Sequence, residues 1–400
     1  MVSLSFAPIY FDYNATTPVD ERVLEAMLPY FSTRYGNASS RHEYGRVALA
    51  ALEKAREQVA SAVGAHPTEV IFTSGGSEAN NLFLKGAGAS FRGAAAGNKA
   101  ETVVIGATEH LCVLNAARQL RGQGWRLAQL PVDGGGRIRP ADVEAAAREK
   151  PRRWSVMLAN NETGVIQDIA SLAATVQAVG PDCGWFHTDA VQALGKIPIN
   201  FRALNAAGVH ALTISAHKAY GPKGAAALIM DKRLDLMTQI AGGGQERGLR
   251  SGTENIAAIV GFGAACELAV SRLKARAKAQ TVLRTRLEIR LGEMGATVFG
   301  MGVPRLPNTC FFAFPSVDGE TLVGKLDRSG FAIASGSACS SAKSAPSHVL
   351  LAMGVPDELA RCAARVSMGE KTKPAEIEGF LLALQETATK LSRFAANTRL

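Results

Sequence analysis

Hydrophobic positions near the start of the chain recur at helical spacing in two stretches, VLEAMLPY from Val23 and RVALAALEKAREQVASAVG from Arg46. They predict helices between Glu21 and Val63, with Gly64 as the stop. The polar, turn-rich YGNASS of Tyr35 to Ser40 separates them. From there the period shortens. The β-branched or apolar runs EVIFTSG, ETVVIGATEH, WRLAQLP, SVMLANNETG, WFHTDAVQ, HALTISAHK and AAALIMD are punctuated by helical segments such as VLNAARQLRGQG and by glycines. Such alternation predicts an α/β fold with a mostly parallel sheet and crossover helices. Past Asn255 a long helical stretch, about Ile256 to Leu291, leads to strand-like NTCFFAFP, a helix over TLVGKLDRSG and the Gly/Ser-rich AIASGSACSSAKSAPSH. This is the texture of a second, smaller α/β domain.

Open sheets of this kind place ligands at the C-terminal ends of their strands. Here the polar residues gather at those ends: Ser74 and Ser77, Glu109 and His110, Asn160 and Asn161, Asp189 and Gln192, Ser215 and Lys218. One site is expected. The chain has 400 residues, 47% of them hydrophobic and 20% charged, with no strict repeat, which fits one or two globular domains with room for a deep pocket. Fibrous, coiled-coil and wholly disordered readings are excluded. The longest apolar stretch, Ile256 to Cys266, falls short of the about 20 residues a membrane span requires. The N-terminus lacks the pattern of a secretory signal, so a cytoplasmic location is expected and no membrane contact. The net charge of +9 is spread along the chain rather than clustered, so no nucleic-acid partner is expected.

Cysteines 112, 183, 266, 310, 339 and 362 are far apart, with neither a CxxC pair nor a tight cluster, and read as free thiols. Cys112, Cys266, Cys310 and Cys362 lie in apolar or helical sequence and read as small buried hydrophobes. Cys339 is flanked by Ser, Gly and Ala, a setting for an exposed, mobile loop and a reactive thiol. Lys218 follows a buried strand, where an ammonium is costly; an imine with an aldehyde cofactor removes that cost, and a surface lysine on a strand-end loop is the other reading. Asp189 either pairs with a protonated ring nitrogen or caps the next helix. His110 either stacks on a flat cofactor and shuttles protons or is a satisfied core histidine. Thr73 to Asn80, TSGGSEAN, offers a glycine-rich helix start suited to a phosphate and is also an ordinary turn sequence; it is neither GxGxxG nor GxxxxGK[ST]. Arg365, in a probable strand, suits a carboxylate clamp or a surface ion pair.

Together these residues resemble the cysteine desulfurases of the fold-type I, class V aminotransferase family, most closely the branch that serves nitrogenase iron–sulfur cluster assembly. The motifs occur in family order: YFDYNATTPVD, YGNASSRHEYG, FTSGGSEANN, ATEH, ANNETG, HTDAVQALGK, SAHKAYGPKG, GGGQERGLRSGTEN, RLPNT and SGSACSSAKSAPSHV. The resemblance implies a large domain, residues 15–255, around a mostly parallel seven-stranded sheet. It implies a small domain from residues 1–14 and 256–400, carrying the cysteine loop at about 332–345. It further implies that Lys218 carries pyridoxal 5'-phosphate as an imine, that Asp189 pairs with the ring nitrogen and that Gln192 bonds the ring hydroxyl. His110 would stack on the ring and move protons. Gly76, Ser77, Ser215 and His217 would hold the phosphate, joined by Thr253 from the partner subunit of a homodimer. Asn161, which would also lie against the cofactor, and Arg365 would bind the substrate carboxylate, with Asn37 at the same end.

The implied reaction takes sulfur from L-cysteine, leaves alanine, and stores the sulfur as a persulfide on Cys339 for an iron–sulfur scaffold protein. No metal is implied in the isolated enzyme, although Cys339 would meet a transient cluster. Housekeeping cluster assembly, selenocysteine lyase and cysteine sulfinate desulfinase are the alternatives. Ala38 stands where the family usually has proline, Ala216 where it has glycine, and Glu370 where a basic residue is commoner. Glu370 would slightly weaken anionic substrate binding if it faces Arg365.

Overall fold

In the computed structural model, which describes residues 7–88, 101–180, 182–336 and 345–397, the chain begins with β1 (Ile9–Tyr10), α1 (Glu21–Met27), α2 (Pro29–Ser32) and α3 (Glu43–Val63). Helix α3 buries Ala48, Leu52, Ala55, Val59 and Val63, spaced three or four apart, so one stripe faces the core. It ends at Gly64, whose left-handed φ of 65° a side chain would disfavour.

Next come β2 (Val70–Thr73), α4 (Gly76–Gly86), β3 (Thr102–Gly106), α5 (Leu111–Gly122), β4 (Arg126–Leu130), α6 (Pro140–Ala147), β5 (Arg153–Ser155), α7 (Ile169–Val179), β6 (Trp185–Asp189), α8 (Phe201–Ala206), β7 (Ala211–Ser215) and β8 (Ala226–Met230). The strands form one seven-stranded sheet in the order β2-β8-β7-β6-β5-β3-β4. Every pairing from β7 to β4 is parallel, and β8 runs against both β7 and β2. Strands β2, β3, β5, β6 and β7 therefore finish at one edge. Helices cover both faces, which is why a strand such as β7 is buried at every position.

The remainder is α9 (Ile256–Glu293), β9 (Thr297–Val298), β10 (Thr309–Ala313), α10 (Gly319–Arg328), β11 (Phe331–Ala332), β12 (Ala334–Ser335), α11 (His348–Ala352), α12 (Asp357–Arg361), β13 (Ala363–Ser367) and α13 (Pro374–Asn397). Strands β12-β13-β10-β9 form an antiparallel sheet, and β1 returns to pair in parallel with β11. Helix α9 is long and apolar enough to cross a membrane by length and composition, and half of its most apolar stretch is buried within the fold. Its first half puts Ile256, Ile259, Phe262 and Cys266 into the core of the large sheet. Its second half puts Leu283, Leu287 and Leu291 into the core of the small one. Each leucine so buried contributes about 1.5–3 kcal/mol.

Candidate active site

Asp189 is the last residue of β6 and is buried. Its Oδ2 accepts from Asn80 Nδ2 at 2.7 Å, and its Oδ1 accepts from the Val191 N–H at 2.9 Å. Burial raises its pKa, and a cationic partner would offset that cost. Lys218 ends the tight turn after β7, and its Nζ donates to the carbonyls of Asn14 and Ala15, each at 2.6 Å. Burial, and then the Arg365 charge, lower its pKa from 10.5 to about 8. The two groups line one cavity of about 310 Å³.

His110 borders the same cavity but does not end a strand as the sequence pattern suggested; β3 stops at Gly106, and His110 caps α5. Its Nδ1 accepts from the Cys112 N–H at 3.2 Å and lies 3.0 Å from Cys112 Sγ. Burial lowers its pKa, so the ring is neutral. With Nδ1 accepting, the remaining ring hydrogen sits on Nε2. Cys112 is therefore not the buried apolar filler expected from its neighbours. It is half-buried on the cavity wall, and burial pushes its thiol up to about 12, which keeps it protonated.

The small sheet supplies Arg365 from β13, buried like a core residue. Its guanidinium donates to Asp12 Oδ1 at 2.6 Å and to the Asn161 carbonyl at 2.8 Å. Asn14 ties the two sheets together: its N–H donates to Ser367 Oγ, its Nδ2 to Thr309 Oγ1, and its carbonyl accepts from Lys218 and from Gln192 Nε2. Glu370 does not face Arg365. Its carboxylate is held by Arg272 at 2.5 Å and Arg276 at 2.7 Å, so the expected penalty on anionic substrates has no structural basis.

The residues fit pyridoxal 5'-phosphate. Helix α4 starts at Gly76 with no side-chain cap on its first N–H groups, and a Cβ on Gly76 would meet Val191 Cγ2 at 2.9 Å. Glycine there lets backbone donors stand close to the cavity, an anion seat beside Ser77 and His217. Ser215 Oγ and Asn80 Oδ1 are buried without a partner among the described residues. An anion seat, an amine and a buried carboxylate are thus arranged round one space.

Of the other expected residues, Gln192 and Asn161 line the cavity, while Ser215 lies fully buried at the end of β7. Asn37 and Thr253 are exposed and do not line it. Cys339 lies outside the described residues. Sequence reasoning missed Asn14, Asn80, Cys112 and Lys196. The available signals were polar side chains at helical spacing from site residues, Asn80 four after Gly76 and Lys196 four after Gln192. A roomier cavity of about 470 Å³ lies near the opposite strand ends, by Trp125 and His210, and it gathers no comparable set. Among the described residues no His, Cys, Asp and Glu group is placed to hold a metal.

The model of the family "Aminotransferase class-V" matches residues 9–380. A cysteine desulfurase (IscS) of Anaeromyxobacter sp. strain Fw109-5 is 43% identical over 391 residues, covering 96% of this chain and 93% of the relative. The chain belongs to the cysteine desulfurase group of the class-V aminotransferase family. Solved structures of the family agree in fold. A NifS-like protein superposes with a TM-score of 0.87 at 36% identity, over 95% of this chain and 98% of that one. SspA in complex with cysteine gives 0.77 at 33%, over 90% and 98%. Membership makes this an enzyme of the pyridoxal phosphate-dependent, cysteine desulfurase type, with the fold-type I architecture anticipated from its motifs.

Proposed function

We propose that the protein converts L-cysteine and the Cys339 thiol to L-alanine and a Cys339 persulfide, and passes that sulfur to a scaffold protein for iron–sulfur cluster assembly. The observation that carries this reading is the convergence of Lys218, Asp189 and Arg365 on one cavity. When bound, pyridoxal 5'-phosphate supplies the electron sink that lets bonds at the substrate's carbons break. Gly76, Ser77, Ser215 and His217 hold its phosphate, Asp189 keeps its ring nitrogen protonated, Lys218 provides the amine that carries it, and Asn161 and Gln192 wall it in. Arg365 exchanges Asp12 for the substrate carboxylate, a bidentate match that fixes the substrate's orientation. Lys218, neutral in a large fraction near pH 8, moves a proton at the substrate carbon, and His110 offers its Nε2 hydrogen beside it. Cys339 takes the sulfur as thiolate.

A homodimer is part of the reading. Thr253 is exposed and away from its own cavity, as a residue that completes a partner's phosphate seat must be, and Leu24, Leu28, Phe31 and Tyr35 form exposed apolar surface on α1, α2 and the turn after them. We likewise take residues 15–255 and the joined segments 1–14 and 256–400 as the two domains. Delivery to nitrogenase clusters is the finer form of the proposal; it rests on the order of motifs, and transfer assays with nitrogenase and housekeeping scaffolds test it.

Incubation with L-cysteine and a thiol should yield alanine and sulfide in equal amounts. Faster turnover of selenocysteine or cysteine sulfinate would redirect the assignment. Cys339→Ala should abolish alanine formation and keep the cofactor absorbance; normal turnover in that variant would defeat the persulfide role. Lys218→Ala should lose the borohydride-reducible link to the cofactor, and its persistence would defeat the amine assignment.

A further inference from the structure

Behind the cavity wall lies an amine that the mechanism leaves unused. Lys196 is buried, and its Nζ donates to Gln192 Oε1 at 2.6 Å and to Asn14 Oδ1 at 3.0 Å. No carboxylate pairs with it among the described residues, and burial first, then the positive charges of Lys218, Arg365 and Arg276, lower its pKa well below the ordinary lysine value. Burying an ammonium this way is costly unless a nearby anion compensates.

Its effect falls on Gln192. The Asn14 carbonyl can only accept, so the Gln192 atom facing it at 2.9 Å is nitrogen; the atom facing Lys196 is therefore oxygen, and the amine donates to it. The carboxamide orientation is thereby fixed by its neighbours' chemistry. Gln192 Nε2 carries a second hydrogen that finds no acceptor among the described residues, although Gln192 is 4% exposed and lines the cavity. That hydrogen is available to an acceptor inside the cavity.

We propose that Lys196 is a positioning residue: by donating to Oε1 it locks Gln192 so that an N–H faces the cavity and meets an acceptor of the bound ligand at that wall. The inference rests on the reading of the cavity as the pyridoxal phosphate site. Lys196 touches no reacting atom and acts through the amide.

The test strips the full-length protein of cofactor and titrates pyridoxal 5'-phosphate back, following absorbance for affinity and band position. Lys196→Met should bind about tenfold more weakly, equivalent to about 1.4 kcal/mol, with a displaced absorbance band. Gln192→Leu should bind at least as weakly, and the double variant no worse than Gln192→Leu alone, since the lysine then has no amide to act through. Unchanged affinity in Lys196→Met, or losses that multiply in the double variant, would overturn the proposal. Gln192→Glu guards against a folding failure of Lys196→Met. It keeps an acceptor for the lysine but offers no N–H, so it should bind cofactor as poorly as Gln192→Leu; parent-like affinity would overturn the proposal. Failure of the parent protein itself to take up the cofactor would instead refute the functional reading.

Discussion

Lys218 gives the sharpest quantitative test. Its ammonium is held in a buried pocket by two backbone carbonyls, which compensate a charge less well than a carboxylate, and Arg365 stands across the cavity. Burial first and Arg365 second bring the amine from 10.5 to about 8. That difference is worth about 3 kcal/mol in favour of the neutral form. At pH 7.5 about a quarter of the lysine is then uncharged, against about 0.1% for an ordinary lysine. Arg365→Met removes the opposing cation and frees the Asp12 carboxylate, and both changes draw the amine back toward its usual value. Competitive amine labelling of the cofactor-free protein across a pH series, read at residue 218 by mass spectrometry, should show a midpoint near 8 in the parent and a higher one in Arg365→Met. A parent midpoint at 10 or above, or no upward movement in the variant, would refute the electrostatic account.

Three further outcomes are expected. His187 is bonded to Ser155 and Thr213 inside the sheet, and burial lowers its imidazole from 6.5 to about 3. The unfolded chain therefore binds a proton that the native one refuses, so this contribution to stability is whole above pH 6.5 and is lost as pH falls toward 3, by at most about 5 kcal/mol. Urea midpoints at pH 7 and pH 5 should differ, and less so in His187→Asn. Arg56→Met would leave the buried Glu246 carboxylate without the guanidinium that binds both its oxygens at 2.8 Å. It should cost about 3–5 kcal/mol by urea unfolding, and a loss below about 1 would show the pair to be dispensable. Arg365→Lys keeps the charge but loses the fork, so KM for L-cysteine should rise more than kcat falls in steady-state assays.

Much of the fold was legible in the sequence because strands such as β3 and β8 are buried at every position and read as short apolar runs, and because the helix from Ile256 is apolar along its first turns and carries Leu283, Leu287 and Leu291 near its end. Site residues at strand ends were legible for a related reason: topology alone brings Asp189 and Lys218 to one edge. What was not legible depends on turns and on distant partners. His110 looked like a strand end because polar residues follow an apolar run, whereas the chain turns after Gly106 and uses the imidazole as a helix cap. Cys112 was misjudged because its neighbours in sequence are apolar while its neighbours in space are His110 and Asn80. Glu370 lies five residues from Arg365 in sequence, yet its carboxylate is claimed by α9. Asn14 joins partners 295 and 353 residues away, and no local pattern announces that.

The tie between Asn14 and Ser367 bears on the order of events during synthesis. One wall of the cavity, at Asn14, is translated ahead of the large sheet and the opposite wall, Arg365, after it. A growing polypeptide on the ribosome can fold the large sheet and present Lys218, but it has no anchored floor and no guanidinium until β13 has emerged. Loading with the cofactor in its final surroundings therefore waits for β13, and a chain released before β13 would expose a reactive amine with nothing to orient what it captures.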